Sequence, residues 1–148
     1  MIATLKQIAW HEAGHAVVAW DQGFTVVLVS IQKLGENFGR TMHTPAADCS
    51  IRSERERENI VAMGGWAAEH RSGEAADVTY DGSDLSCILS RIAEHAPDRM
   101  AIELGSAEQE AERIISANID RVEQLADELL KRQELTDPAE ILRIIEGS

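Results

Sequence analysis

The sequence predicts an α+β domain, mostly helical, with one small sheet near its N-terminus. Three observations lead there. Apolar residues recur at three- and four-residue steps over most of the chain, the period of helices with one buried face. A single run, FTVVLVSIQ at 24–32, has instead the β-branched richness and length of a strand covered on both faces. Gly35 and Gly39 follow it around Asn37 and let the chain turn back once, as a hairpin. With 148 residues, 44% of them apolar, the chain fills one core without needing a second, so 1–148 is read as a single domain.

In the first helix, Leu5, Ile8, Ala9, Ala13, Ala16, Val17 and Trp20 form the apolar stripe, which Asp21, Gln22 and Gly23 end. After the strand, RTMHT at 40–44 returns as a shorter one until Pro45, which marks an edge or an end. Ser53 with Glu56 reads as a capping box opening a long helix that carries Ile60, Met63, Ala67 and His70 on one stripe and ends near Gly73. Gly64 and Gly65 in its middle cost roughly 1 kcal/mol each relative to alanine. Close packing of another backbone there is the expected reason. A turn through Asp81 and Gly82, a cap at Ser83 and inward Leu85, Ile88, Leu89 and Ile92 describe the next helix, closed by Pro97. After a link around Gly105, Ser106 and Gln109 suit a capping box for a helix through Ile115, Ile119, Val122, Ala126 and Leu129 to about Gln133. Asp137, Pro138 and Glu140 open a last short helix. Trp10, Trp20 and Trp66 are expected as core anchors.

Composition removes several functions. A formal charge of −12 repels a phosphate backbone, and the dense charge run RSERERE at 52–58 mixes both signs, so nucleic acid is not an expected partner. The apolar run at 24–31 falls far short of the ~20 residues of a membrane-spanning helix. MIATLKQIAW lacks the basic start, apolar stretch and cleavage site of a signal peptide. Cys49 and Cys87 lie far apart, with no C-x-x-C pair, which points to neither a disulfide framework nor a cysteine metal site, and to a cytoplasmic location.

The stretch AWHEAGHAVVAW at 9–20 carries the chemistry. On a helix, residues four apart project from one face, so His11 and His15 can direct ring nitrogens at one ion. Glu12, turned by about 100° from His11, can reach a water beside that ion and act as general base. Neutral imidazoles suit zinc, whose hydrolytic sites have three protein ligands and one position open to water, so a third ligand is required. Ala13 and Gly14 are small and leave room near the metal. The same five letters also describe a helix with two histidines on a solvated face, and by themselves leave both readings open.

Beyond HEAGHAVVA, other pieces of the chain carry a resemblance in the same order. FGRTMHTP, IVAMGGWAAEH and SDLSCILSRIA resemble the LGxTxxxP strand, GGRxAEE helix and SNDLxxATxxAR segment of the peptidase domain of FtsH-type ATP-dependent zinc metalloproteases. The tail LADELLKRQELTDPAEILRII is similar to that family's closing helices. The resemblance implies a zincin-like peptidase domain with a C-terminal helical hairpin, zinc as cofactor, His11, His15 and Asp84 as ligands, and Glu12 as catalytic base. Asp84 also qualifies by its own position, at the start of a helix on a turn, where a carboxylate is oriented and can reach a neighbouring helix; a helix-capping aspartate is the alternative. Glu69, at the first Glu of AEE, is implied beside the site, where it can accept the distal N–H of a ligand histidine. Asp77, Asp81, His43 and His70 are competing ligands, read as loop or surface residues. The strand with Thr41, Met42 and His43 is expected to hold an extended peptide along its edge, the alternative being an ordinary edge strand.

The chain departs from the family at Trp66 (for Arg), His70 (for the second Glu of AEE), Tyr80, Asp81 and Gly82 (for GAS) and Ser83 (for Asn), which bears on pocket shape more than on ligands. No phosphate-binding G-x-x-x-x-G-K-[ST] loop occurs in the sequence, so this chain is not expected to hydrolyse ATP. The expected function is a zinc-dependent endopeptidase acting on unfolded or flexible polypeptide. The alternatives are a zinc-binding regulatory module that needs a partner unfoldase for turnover, and a metal-free helical interaction domain. A homo-oligomer or a partner ATPase is the expected assembly.

Overall fold

A computed structural model of the chain describes residues 4–35, 37–73 and 82–147. The first helix, α1 (Leu5–Asp21), opens on Thr4, whose Oγ1 accepts from the Gln7 amide while the Gln7 side chain accepts from the Thr4 amide. This reciprocal cap satisfies two amides that a helix start leaves without partners. From Gln7 to Ala19 only His11 escapes full burial, because α1 lies at the centre of the molecule and packs on both sides.

On one side of α1 lies a three-stranded antiparallel sheet in the order β2-β1-β3, formed by β1 (Val26–Leu34), β2 (Asn37–His43) and β3 (Glu134–Leu135). Val29 is the centre of its register, opposite Thr41 on one side and Leu135 on the other. Among the described residues β2 pairs only with β1, so its outer edge has no sheet partner among them. The expected hairpin is present, although its turn includes Glu36, outside the described residues. β3 was not expected: two residues are too few to show a strand period. It forms because Gln133, at φ 67, turns the chain out of the preceding helix and offers its carbonyl to the Ile31 amide at 2.8 Å.

On the other side of α1 lies α2 (Arg52–Glu69), followed by α3 (Gly82–His95), a 3₁₀ turn at Pro97–Arg99, α4 (Met100–Ala117), α5 (Ile119–Arg132) and α6 (Pro138–Glu146). Two expected helix starts are corrected. Ser53 does not cap α2: the cap position is Ile51. The Asp48 carboxylate accepts from the amide and hydroxyl of Ser50, folding the preceding turn so that the helix begins before Ser53. Ser106 and Gly105 lie inside α4, which begins at Met100 and packs Glu103, Ala107, Ala111, Ile114 and Ile115 inward. Tertiary packing there outweighs the weak propensity of one glycine. The expected helix from Ser106 to Gln133 is also two helices, because Asn118 breaks the ladder: its side-chain amide donates to the Ile114 carbonyl and its main chain bonds to Ile115. The last helix starts as expected, with the Asp137 carboxylate accepting from the Ala139 amide.

Buried residues from α1, β1, α2, α3, α4, α5, β3 and α6 form one hydrophobic cluster. Trp10 lies in it, while Trp20 and Trp66 pack against it half-buried. Where α1 crosses α2 the backbones nearly touch. A Cβ on Gly14 would lie 2.4 Å from the Gly64 carbonyl oxygen, and one on Gly64 would lie 2.8 Å from that of Gly14. Gly64 thus has the close-packing role expected of it, and the crossing brings the face of α1 that bears His11 and His15 against α2.

Candidate metal centre

His11 and His15 stand one turn apart on α1, with ring centroids 4.7 Å apart and the rings nearly perpendicular. The Nδ1–H of His15 donates to the Val61 carbonyl of α2 at 2.8 Å, which leaves Nε2 of the neutral ring as a lone pair aimed at the site. Asp84, in the first turn of α3, brings Oδ2 to 3.2 Å from His11 Nε2 and 3.1 Å from His15 Nε2, while the two Nε2 atoms are 3.1 Å apart. Three potential ligand atoms therefore form a nearly equilateral triangle, the one such His/Cys/Asp/Glu group among the described residues.

That triangle fits a metal. Tetrahedral bonds of about 2.0–2.1 Å require ligand atoms about 3.3–3.4 Å apart, within a few tenths of an ångström of the distances found. The donor chemistry agrees: two imidazole nitrogens and a carboxylate oxygen facing each other need positive charge among them, which a metal ion supplies to all three and a proton on His15 Nε2 supplies to Asp84 alone. Burial opposes a charge on His15, but the hydrogen bond and charge of Asp84, with help from Glu12 and Val61, outweigh it and push the ring up to about 9. Burial likewise opposes the Asp84 carboxylate, yet hydrogen bonds from His11 and His15 hold it well below the usual carboxylate range.

Gly65 has a different task from Gly64. A Cβ there would meet His15 Nε2 at 2.6 Å and His11 Nε2 at 2.7 Å, so only a glycine lets both imidazoles occupy this space. Reading the sequence treated the two glycines as one feature; the pair HisxxxHis gives no sign of which helix will cover it.

Glu12 is buried, 5% exposed, between α1 and β2. Thr41 donates its hydroxyl to Glu12 Oε1 at 2.8 Å and lies 3.1 Å from the Glu12 carbonyl oxygen. On the other side, a Cβ on Gly39 would lie 2.9 Å from Oε2, and Gly39 has φ +81. Burial pushes the Glu12 carboxyl up from its ordinary value, and the nearby histidines and Thr41 only partly offset it. A buried carboxylate with a raised pKa is suited to taking up a proton.

Other sequence candidates lie in varied places. Glu69 Oε1 is 3.9 Å from His11 Nδ1, beside the site but beyond direct hydrogen-bond distance. Met42 is exposed, whereas His43 turns toward α2, 2.5 Å from Glu58 Oε1 and against the Phe24 ring. His70 packs edge-on against Trp66 at the end of α2 and is not among the clustered ligand atoms. Asp77 and Asp81 lie outside the described residues. Sequence reasoning missed the Val61 carbonyl, which no side-chain pattern can reveal, and Gly39, whose turn-forming character concealed its contact with Glu12.

Residues 3–86, which include His11, Glu12, His15, Thr41 and Asp84, match the family model described as Peptidase family M41. The chain is 28% identical over 184 aligned positions to ATP-dependent zinc metalloprotease FtsH 1 of Rhodopirellula baltica, covering 95% of this chain and 27% of that protein. It is 27% identical over 175 positions to ATP-dependent zinc metalloprotease FtsH of Caldicellulosiruptor bescii, covering 88% of this chain and 28% of that one. The chain thus spans little more than a quarter of the length of these relatives.

Proposed function

This chain belongs to peptidase family M41, and from that premise we propose that it is a zinc-dependent endopeptidase with an FtsH-type, zincin-like catalytic domain spanning 1–148. The observation that carries the reading is the triangle of His11, His15 and Asp84 at 3.1–3.2 Å with a buried carboxylate, Glu12, on the same helix. His11, His15 and Asp84 would hold the zinc, with the Glu69 carboxylate 3.9 Å from Nδ1 on the far side of the His11 ring. Zinc supplies a Lewis acid for the scissile carbonyl and lowers the pKa of water.

The protein groups do the rest. Glu12 takes a proton from the attacking water onto its carboxylate and delivers it to the departing amine nitrogen. The free edge of β2, at Thr41, Met42 and His43, pairs with the main chain of an extended substrate, which supports many sequences and requires an unfolded or flexible segment. Delivery of such segments by a partner ATPase is in keeping with the relatives' printed description as ATP-dependent.

Purified protein loaded with zinc should cleave unfolded casein, and a chelator should abolish the cleavage. Glu12→Gln should bind zinc as before and lose turnover by about 10²–10⁴-fold. Full zinc occupancy with no cleavage by the parent would instead favour a zinc-binding module that depends on a partner unfoldase.

A further inference from the structure

We propose that Thr41, on the edge strand β2, is the positioning residue of the general base, holding the Glu12 carboxylate through Oε1 so that Oε2 is left for proton transfer. This role rests on the peptidase reading above and adds to it which part of the fold sets the base. A glutamate reaches its position through three rotatable bonds, and a buried one without an anchor samples several rotamers. Among the described residues Thr41 is the side chain that donates a hydrogen bond to the Glu12 carboxylate, and Oε2 accepts none. A second contact with the carboxylate comes from the same strand. The Gly39 backbone lies against Cγ and Oε2, and a methyl group on it would meet either atom at 2.9 Å. Glu12 is therefore carried by α1 but oriented by β2, at two points two residues apart.

That division has a catalytic consequence. β2 pairs with β1 on one side and has no sheet partner on the other among the described residues, and that edge is where the proposed substrate strand adds. Base and substrate then take their positions from one strand, so a shift of β2 that changes substrate register also changes the aim of Glu12. Thr41→Val keeps the shape of the side chain and removes the donor, while Thr41→Ser keeps the donor.

The test is steady-state cleavage of unfolded casein by zinc-loaded parent, T41V and T41S, with zinc content and thermal unfolding measured on each. T41V should lose about 10- to 100-fold in kcat, with KM within about twofold and zinc content unchanged; T41S should recover most of the rate. Independently of activity, the side-chain carboxyl carbon resonance of Glu12, assigned by its loss in Glu12→Gln, should move in T41V and return in T41S. Parent-level kcat in T41V, an unmoved resonance, or a loss shared by T41S and accompanied by a lower Tm overturns the positioning role while leaving an active parent as a peptidase. A zinc-loaded parent that cleaves nothing overturns the peptidase reading and this role together.

Discussion

With its Nδ1 proton committed to the Val61 carbonyl, His15 has one nitrogen left, and that nitrogen faces an anionic oxygen 3.1 Å away. The hydrogen bond and charge of that Asp84 oxygen favour a proton on this nitrogen when no metal is bound, and they push the ring up to about 9 despite its burial. A pKa raised above the ordinary histidine value of about 6.5 makes a stabilising contribution that is complete below that value and is lost as pH rises through about 9. Zinc must expel the same proton. His15 should therefore contribute close to one proton per chain to the release on binding at a pH of about 7.5 and almost none above about pH 10, so that total release, which also includes any proton lost by a zinc-bound water, falls between the two. An unperturbed imidazole would release only about a tenth of a proton under the first condition. Calorimetric zinc titrations in buffers of different ionisation enthalpy measure this directly, and a release that stays level or rises between the two pH values would rule out the His15–Asp84 coupling.

At the scale of elements, the centre depends on one helix crossing. Gly14 and Gly64 bring α1 and α2 into backbone contact, and the next residue of α2, Gly65, then faces the two imidazoles. Gly65→Ala improves helix propensity by roughly 1 kcal/mol but inserts a methyl group 2.6 Å from His15 Nε2. Overpacking of this kind costs about 1–3 kcal/mol, so zinc should bind about 5- to 150-fold more weakly. Competition with a chromophoric chelator reads the change, and unaltered affinity would mean that the rings do not need the space that Gly65 leaves. The glycine pair was legible as a close approach because glycine inside a helix needs a reason. Ser53 and Ser106 were misread for the converse cause: capping letters tolerated within a helix carry the same pattern as letters that start one, and only the packing of α2 and α4 distinguishes them.

Across the whole molecule, α2 is held to α4 by Arg55 and Glu103, buried at 3% and 1% exposure, with guanidinium and carboxylate meeting twice at 2.7 Å. Arg99 adds a third contact to the same carboxylate. The hydrogen bonds of Arg55 are the main reason that Glu103 is held below the ordinary carboxyl value, against the effect of burial. The resulting stability is present above the unfolded carboxyl's pKa of about 4.3 and is lost as pH falls through the lower value of the folded state. Glu103→Gln leaves a buried guanidinium unpaired and should cost about 3–5 kcal/mol near neutral pH. Urea unfolding should show that loss shrinking as the pH is lowered below about 4, and an equal loss at both ends would place the effect in packing rather than charge. Nothing in the run RSERERE distinguishes Arg55 from the other charged residues beside it, because its partner is 48 residues away.

Local periodicity is enough to place His11, Glu12 and His15 on one helix, to mark a β-branched strand and its return, and to make a mostly helical α+β domain the expectation. Each of these follows from interactions within a few residues, where the backbone's own geometry dictates which side chains share a face. The meeting of Asp84 with His15, 69 residues apart, the donation of a proton to Val61 and the cradle that Gly39 and Thr41 form around Glu12 arise only when separate elements pack. Those contacts depend on the angle and depth of the α1–α2 crossing and on β2 lying beside α1, which burial of a common core sets and no local pattern encodes.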